Sequence, residues 1–406
     1  MFKPISKLAC VALALLAVAG VQRASAQGKV KLSKGVDKAL IAAQKAQQAK
    51  NWGECVSQAH AAGAVATRTA EDNYYINEIL GFCLVRENKL AEAFPALKFT
   101  VDSGRLSGDT LASRVRALAQ ISYQLKNYEE AIAFGNRAIA LPGGADAELY
   151  TLVAQSMYLK GDNKGARDFL NKLVASQERN GQAPKEQTLQ LILSTCIKMK
   201  ENACITSSFE KLVSHYPKDE YWKNLVVTLL NAGGNDRTMM QIYRLAAEVN
   251  SMNGPNYMEM AQIALDQGLP GDAQSAIEKA TKSNLITDAR EVASSQRLLA
   301  AAKTASASDR ATLAKQEADA AKKPTGEVDF KVGTAWMSYG QYPQAIAAMT
   351  RALAKGGVKN LAEAQLMLGI AYYKAGNAAE AAKAFKAVKG DATLERLGSL
   401  WALRAK

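Results

Sequence analysis

Histidine, proline and aromatic residues are scarce in this chain of 406 residues, which has two histidines, nine prolines and 7% aromatic residues. Two histidines, His60 and His215, are too few for a multi-histidine metal centre. Few prolines and aromatics also disfavour a strand-rich fold. Alanine makes up about 18% of the residues, which favours closely packed helices. The hydrophobic share of 48% is ordinary for a chain that folds, so wholesale disorder is excluded.

Long apolar runs are missing from the chain except near its beginning. There Lys3 and Lys7 precede an apolar stretch at residues 8–20, and Ala24-Ser25-Ala26 follows. This order is typical of a secretory signal peptide. About 13 apolar residues are too few to span a bilayer, which needs about 20. We therefore expect residues 1–26 to be a signal peptide cleaved after Ala26. The mature chain would then be periplasmic, with no integral membrane span. An uncleaved anchor is the alternative.

The charge is basic but dilute. The chain carries 51 Lys and Arg against 38 Asp and Glu, a net charge of +13. Removing Lys3, Lys7 and Arg23 with the signal leaves +10, because 13 − 3 = 10. No cluster of Lys and Arg marks a nucleic-acid or membrane patch, so we expect no nucleic-acid partner and only a mild preference for anionic ones.

Internal repetition is the strongest pattern. A helix-like segment, a short polar break with Asn or Gly, and a second helix-like segment recur, as in Leu118 to Ile132 and Leu368 to Phe385. A small residue early in each second segment recurs at intervals of 33 to 39 residues, with one interval of 72 that predicts a degenerate unit between Ala273 and Ala345. Such a period indicates a stack of helical hairpins.

This pattern resembles the tetratricopeptide repeat family, in which each unit of about 34 residues is a pair of antiparallel helices. The resemblance implies an all-α, right-handed superhelical solenoid of about ten helix pairs with a C-terminal capping helix. The expected segments are a signal peptide (1–26), a lead-in (27–36), about seven helix pairs (37–283), a degenerate pair or hinge (284–326), two repeats (327–389) and the capping helix (390–406). Within the degenerate segment we expect two helical runs, Asp288–Ala305 and Ser308–Lys323.

Four cysteines remain after signal removal, and an oxidising compartment would allow them to pair. The helical-hairpin arrangement brings Cys196 near Cys204, and it places Cys55 and Cys83 on consecutive repeats. Cys55–Cys83 and Cys196–Cys204 are therefore possible disulfides, and four buried free thiols are the alternative. No Cys-x-x-Cys motif is present, which disfavours a thiol oxidoreductase.

Catalytic signatures are missing from the sequence. It contains no phosphate-binding loop, no strand-linked Gly-x-Gly-x-x-Gly, no His-Glu-x-x-His, no Gly-x-Ser-x-Gly and no EF-hand loop. We therefore expect a protein that is not an enzyme and binds no cofactor or metal. An enzyme with its site in the degenerate segment 284–326 is an alternative.

The resemblance also implies where partners bind, because in this family the first helix of each pair lines a concave groove. Residues at the corresponding positions are the candidate partner-binding residues: Arg116, Gln120, Tyr123, Thr151, Gln155, Tyr158, Gln262 and Tyr373. The three glutamines occupy the same repeat position, and an amide can pair with a ligand's main chain. The tyrosines supply interface area, but they could equally serve packing between repeats.

A second resemblance covers about 60 residues around His215–Trp222. Its Tyr-Pro-x-x-x-Tyr-Trp junction is similar to periplasmic repeat proteins that accompany TonB–ExbB–ExbD systems. Together these features predict a non-catalytic exported scaffold or adaptor that binds protein or peptide partners in cell-envelope assembly or transport. The second resemblance implies a TonB-system accessory attached to an inner-membrane transport complex. A glycan-binding solenoid in polysaccharide export is a further alternative.

Overall fold

The computed structural model describes residues 31–143 and 146–405, which form two compact units that divide between Glu201 and Asn202. The predicted signal peptide lies outside the described residues. Within the described residues there are helices and no strand, as the repeat pattern predicts.

The described part of unit 1 has nine helices: α1 Lys34–Gln48, α2 Trp52–Gly63, α3 Ala70–Arg86, α4 Leu90–Asp102, α5 Gly108–Gln124, α6 Tyr128–Ala140, α7 Ala147–Lys160, α8 Asn163–Arg179 and α9 Glu186–Met199. Unit 2 has eleven: α10 Asn202–His215, α11 Asp219–Ala232, α12 Asp236–Glu248, α13 Gly254–Asp266, α14 Pro270–Lys282, α15 Ala289–Ala321, α16 Glu327–Ser338, α17 Tyr342–Lys355, α18 Leu361–Lys374, α19 Ala378–Lys386 and α20 Ala392–Arg404.

Successive helices pack as hairpins because small residues allow their axes to approach closely. The small residues Ala93, Ala131 and Ala345, early in second helices, are fully buried. Gly369 shows how close the approach is, since a Cβ atom there would lie 2.5 Å from the Phe385 ring. The predicted pairing of small residues therefore accounts for the hairpins.

The first helices of successive hairpins in unit 1 also contact one another, α1 with α3, α5 with α7, and α7 with α9. This layer of odd-numbered helices carries a buried ion pair between α3 and α5. Arg114, with a side chain only 3% exposed, donates to both oxygens of Glu78 at 2.5 and 3.1 Å. The bidentate geometry fixes the register of the two helices.

The beginning of unit 1 is tied together at two places. The Asp72 carboxylate accepts hydrogen bonds from the amides and hydroxyls of Ser33 and Thr69, the N-caps of α1 and α3. Cys55 of α2 and Cys83 of α3 are joined by a disulfide with a Cα–Cα distance of 6.1 Å, the first of the two pairings given as possible above. Cys196 and Cys204, the second of those pairings, are both disulfide-bonded as well.

The degenerate segment differs from the expectation of two helical runs. It forms one continuous helix of 33 residues, α15, which packs against α13, α14 and α16. The range Ala289–Ala321 contains no Gly or Pro that would end a helix, so Ser308 and Asp309 lie inside α15 and do not cap a second helix. Its buried residues form one narrow stripe of mostly small side chains: Ser295, Ala302, Ser306, Leu313 and Ala320.

The predicted capping segment forms α20, whose Leu394, Leu397 and Leu400 are buried. This helix packs on α18 and α19, and it also contacts α10 and α12 from the beginning of unit 2. A simple stack of repeats makes contacts only between neighbours. Unit 2 therefore closes on itself, which the repeat pattern did not predict.

Candidate functional site

Six of the eight candidate residues lie on two neighbouring helices of unit 1. Three of them lie on α5 and three on α7, and both groups have the spacing i, i+4 and i+7, which places each group on one face of its helix. We call these six residues the α5–α7 face: Arg116, Gln120, Tyr123, Thr151, Gln155 and Tyr158. Because α5 and α7 pack together, the two sets belong to one surface region of unit 1.

Arg116 holds the two helices together. Its guanidinium forms an ion pair with Asp146, the N-cap of α7, and lies 3.6 Å from a carboxylate oxygen of Glu148. Burial by itself would raise the pKa of the Asp146 carboxyl, but hydrogen bonds from Arg116 and from the amides of Leu149 and Glu148 hold it below its usual value. Arg116 therefore links α5 to the start of α7, and its contact with a partner stays a prediction.

Gln155 lies at the centre of the face and is unusual. Its residue is only 7% exposed, and its side-chain oxygen Oε1 has no hydrogen-bond partner among the described residues. A buried carbonyl oxygen without a donor costs about 1–3 kcal/mol. The Thr151 hydroxyl, one turn earlier on α7, does not donate to this oxygen, because it donates to the Ala147 carbonyl at 2.7 Å. Gln155 thus offers an acceptor that an added N–H or O–H donor would satisfy.

Gln120, Tyr123 and Tyr158 supply the remaining surface area of the α5–α7 face. Gln120 is 8% exposed, and Tyr158 is half-buried. Tyr123 is also half-buried and packs edge-to-face against Tyr128, with ring centroids 6.2 Å apart. Tyr123 therefore contributes to packing within unit 1, which is one of the two roles that the sequence predicted for the tyrosines.

The two candidates in unit 2 differ from those in unit 1. Gln262 is exposed and donates to Asp266 at 3.0 Å, so it is not the structural equivalent of the buried Gln120 and Gln155. The Tyr373 hydroxyl donates to Glu248 at 2.8 Å, and its ring packs against Trp401 at 5.5 Å. Tyr373 therefore packs between elements of unit 2, and its role in partner binding stays a prediction.

The sequence interpretation missed the Glu78–Arg114 pair beneath this region. The two residues are 36 positions apart, which is one repeat period. A search for opposite charges separated by one period would have found it. It also missed the unpaired state of Gln155, for which the sequence carries no signal, because satisfaction of a buried amide depends on its neighbours in space.

Two carboxylates of segment 284–326, the place of the alternative enzyme site, are engaged in structural contacts. Asp309 accepts from the Tyr339 hydroxyl at 2.7 Å, and Glu317 accepts from the Trp336 indole at 2.9 Å. Burial and the Asp309 carboxylate raise the pKa of Tyr339. Among the residues that the structure describes, no cluster of His, Cys, Asp and Glu could hold a metal ion, and no helix is long and apolar enough to cross a bilayer.

Residues 337–393 match the family model of the tetratricopeptide repeat. None of the curated proteins matches the chain. Solved structures with similar architecture include a tetratricopeptide repeat protein from Parabacteroides merdae, at 12% identity over 67% of this chain and 100% of that chain, with a TM-score of 0.33.

Two yeast structures are also similar. The TPR2AB domain of yeast Sti1, in a pHSP90 complex, has 14% identity over 73% of this chain and 99% of that chain, with a TM-score of 0.27. Yeast Tom70 has 9% identity over 91% of this chain and 95% of that chain, with a TM-score of 0.26. At these scores none of the structures indicates a partner for this chain. Residues 337–393, which run from the end of α16 to the beginning of α20, are thus similar to the tetratricopeptide repeat.

Proposed function

We propose that this chain is an exported, non-catalytic adaptor that binds the main chain of a protein partner on the α5–α7 face of unit 1. A tetratricopeptide scaffold suggests a role in protein–protein interaction. The observation that carries the proposal is Gln155, a buried side-chain acceptor without a donor. Because this oxygen is covered in the free chain, the Gln155 side chain would turn outward to accept a backbone N–H of an extended segment, and the half-buried Tyr158 would cover the segment with its ring.

The partner would belong to the cell envelope. The signal-like sequence of residues 1–26 supports export, and the Cys55–Cys83 disulfide suits an oxidising compartment. An inner-membrane complex of the TonB–ExbB–ExbD kind is the partner class that the His215–Trp222 resemblance implies. Mass spectrometry of the protein purified from a periplasmic fraction tests export, because it should begin at Gln27 and carry Cys55 and Cys83 as a disulfide. A chain that starts at Met1 with free thiols would contradict it.

The binding role is tested with Gln155→Met, a substitution of similar length that removes the unpaired oxygen. Because the buried oxygen costs stability while it lacks a donor, the variant should fold as well as the wild type or better. A tagged chain should recover a defined partner from the periplasmic fraction, and Gln155→Met should weaken that complex by about 10- to 100-fold, which corresponds to about 1–3 kcal/mol.

The matched control is Gln262→Met, which changes the same residue type at the same repeat position in unit 2, where the amide is exposed and bonded to Asp266. It should leave the complex unchanged. Tyr158→Ala together with Gln155→Ala should abolish recovery. Equal losses from both Gln→Met variants, or a complex that survives the double change, would contradict the assignment of binding to the α5–α7 face.

A further inference from the structure

Unit 2 is closed by contacts that join residues more than 120 positions apart. Gln241 donates to Glu363 at 3.2 Å, and Arg237 lies 3.3 Å from the other oxygen of the same carboxylate. One helical turn further along, Arg244 lies 3.0 Å from the Met367 sulfur. These contacts join α12 to α18 and are distinct from the hairpin contacts of the repeats.

The contacts continue to the ends of both helices and onto α20. Glu248, the last residue of α12, accepts from the Tyr373 hydroxyl and forms an ion pair with Lys374, the last residue of α18. Arg396 of α20 lies 2.7 Å from Glu210 of α10. Because residue numbers rise together on both sides, α12 and α18 run parallel. We call this set of contacts the closing seam.

The seam is built differently from a hairpin. On α12 its members have the spacing i, i+4, i+7 and i+11, which makes a stripe of long polar side chains: Arg237, Gln241, Arg244 and Glu248. These side chains bridge α12 and α18 at their tips, whereas hairpins are closed by backbone approach at small residues, as at Gly369 against Phe385. The polar groups are well covered: Gln241 is 1% exposed and Arg244 8%.

This difference decides where unit 2 can separate. Opening a hairpin exposes apolar surface to water, which is unfavourable in proportion to the area. Opening a seam of paired charges returns those charges to water, and their hydration offsets most of the attraction that is lost. The ion pairs Glu248–Lys374 and Glu210–Arg396 therefore contribute only a small net free energy to the closed seam. While the seam is closed, removing one partner is still unfavourable, because the other charge is left unpaired.

We propose that the closing seam is a reversible latch. In the open form α10 and α12 separate from α18 and α20 while the hairpins of unit 2 stay intact. The polar stripe of α12 is then exposed, and with it the face of α18 that carries Glu363, Met367 and Lys374. The latch lies in unit 2 and is independent of the partner site proposed in unit 1.

The test is hydrogen exchange of the full-length chain, followed by mass spectrometry of peptides from each helix. In the wild type, α12, α18 and α20 should open more readily than the α16–α17 hairpin. Glu248→Lys replaces the carboxylate that interacts with Lys374 and Arg404 by a third cation. It should speed exchange in α12, α18 and α20 by at least about tenfold while α16 and α17 keep the wild-type rate.

Two further variants make the result specific. Adding Lys374→Glu to Glu248→Lys restores opposite charges and should return exchange to near the wild-type rate. Glu278→Lys is the control, because Glu278 is an exposed glutamate of α14 whose nearest cation, Lys303, lies 3.9 Å away. It should change nothing.

Three outcomes overturn the latch. In the wild type, equal protection of the seam helices and the α16–α17 hairpin would show that unit 2 opens only as a whole. Faster exchange throughout unit 2 in Glu248→Lys would show that the seam is part of one cooperative core. An unchanged rate in that variant would show that the ion pair does not hold the seam. The wild-type measurement stands even where a variant fails to fold.

Discussion

Replacing Asp72 with Asn tests how far unit 1 depends on a single carboxylate. The Asp72 side chain is fully buried, and it accepts from the amide and hydroxyl of Ser33 at 2.9 and 2.7 Å and from those of Thr69 at 2.8 and 2.9 Å. Burial alone would raise the pKa of this carboxyl, but the four hydrogen bonds outweigh burial and lower the pKa from 3.8 to about 2.

The magnitude follows from this difference between the folded and unfolded chains. Because the folded pKa of Asp72 is the lower one, its ionisation stabilises the fold above pH 4, and this stabilisation is lost as the pH falls towards 2. It amounts to about 2 kcal/mol at pH 7 and about 1 kcal/mol at pH 3. In Asp72→Asn, the side-chain NH2 group would replace one carboxylate oxygen and would face an N–H or O–H donor whose hydrogen bond that oxygen now accepts. We therefore expect a loss of about 2–3 kcal/mol at pH 7.

The assay is urea unfolding followed by helical circular dichroism, with wild type and variant compared at pH 7 and at pH 3. The difference in unfolding free energy should shrink by about 1 kcal/mol at pH 3, because the wild type loses part of its advantage there. Asp109→Asn is the control, since Asp109 is an exposed acidic residue in the first turn of α5. A difference between wild type and Asp72→Asn that is the same at both pH values would refute the reasoning.

Two further predictions concern packing and the disulfide. Gly369→Ala should lower the unfolding free energy by about 1–3 kcal/mol, because its Cβ would lie 2.5 Å from the Phe385 ring; Gly63→Ala, where the nearest atom is 3.9 Å away, should be neutral or stabilise by up to about 1 kcal/mol. Thermal unfolding compares the two, and equal effects would contradict the packing argument. Removing the Cys55–Cys83 disulfide by replacing both cysteines, which are 28 positions apart, with Ala should cost about 3–4 kcal/mol; identical urea midpoints for the wild type and this double variant would count against it.

The sequence alone was sufficient for the repeated element. Hairpins form because residues such as Ala93, Ala131 and Gly369 recur at the helix contacts, and that recurrence is visible in the sequence. The capping helix was predictable for the same reason, since Leu394, Leu397 and Leu400 mark one apolar face of α20. Local periodicity determines both features.

The positions of the candidate residues on their helices were predictable from the sequence, but their surroundings were not. Repeat spacing placed Gln120 and Gln155 at corresponding positions of α5 and α7, where the structure also has them. It also grouped them with Gln262, which is exposed, because a repeat position specifies the direction of a side chain on its own helix but not what covers it. The ion pair of Arg116 likewise could not be read from its repeat position, because its partner Asp146 lies at the start of α7, the first helix of the next hairpin.

Only the tertiary structure decided how the repeats end and where the chain meets itself. The continuous α15 replaced the expected pair of runs, since nothing in Ala289–Ala321 breaks a helix and its narrow buried stripe fits three neighbours at once. The closing seam joins Glu248 to Lys374 across more than 120 positions. Such a pair has no period and no local pattern, because it exists only through the accumulated turn from one hairpin to the next.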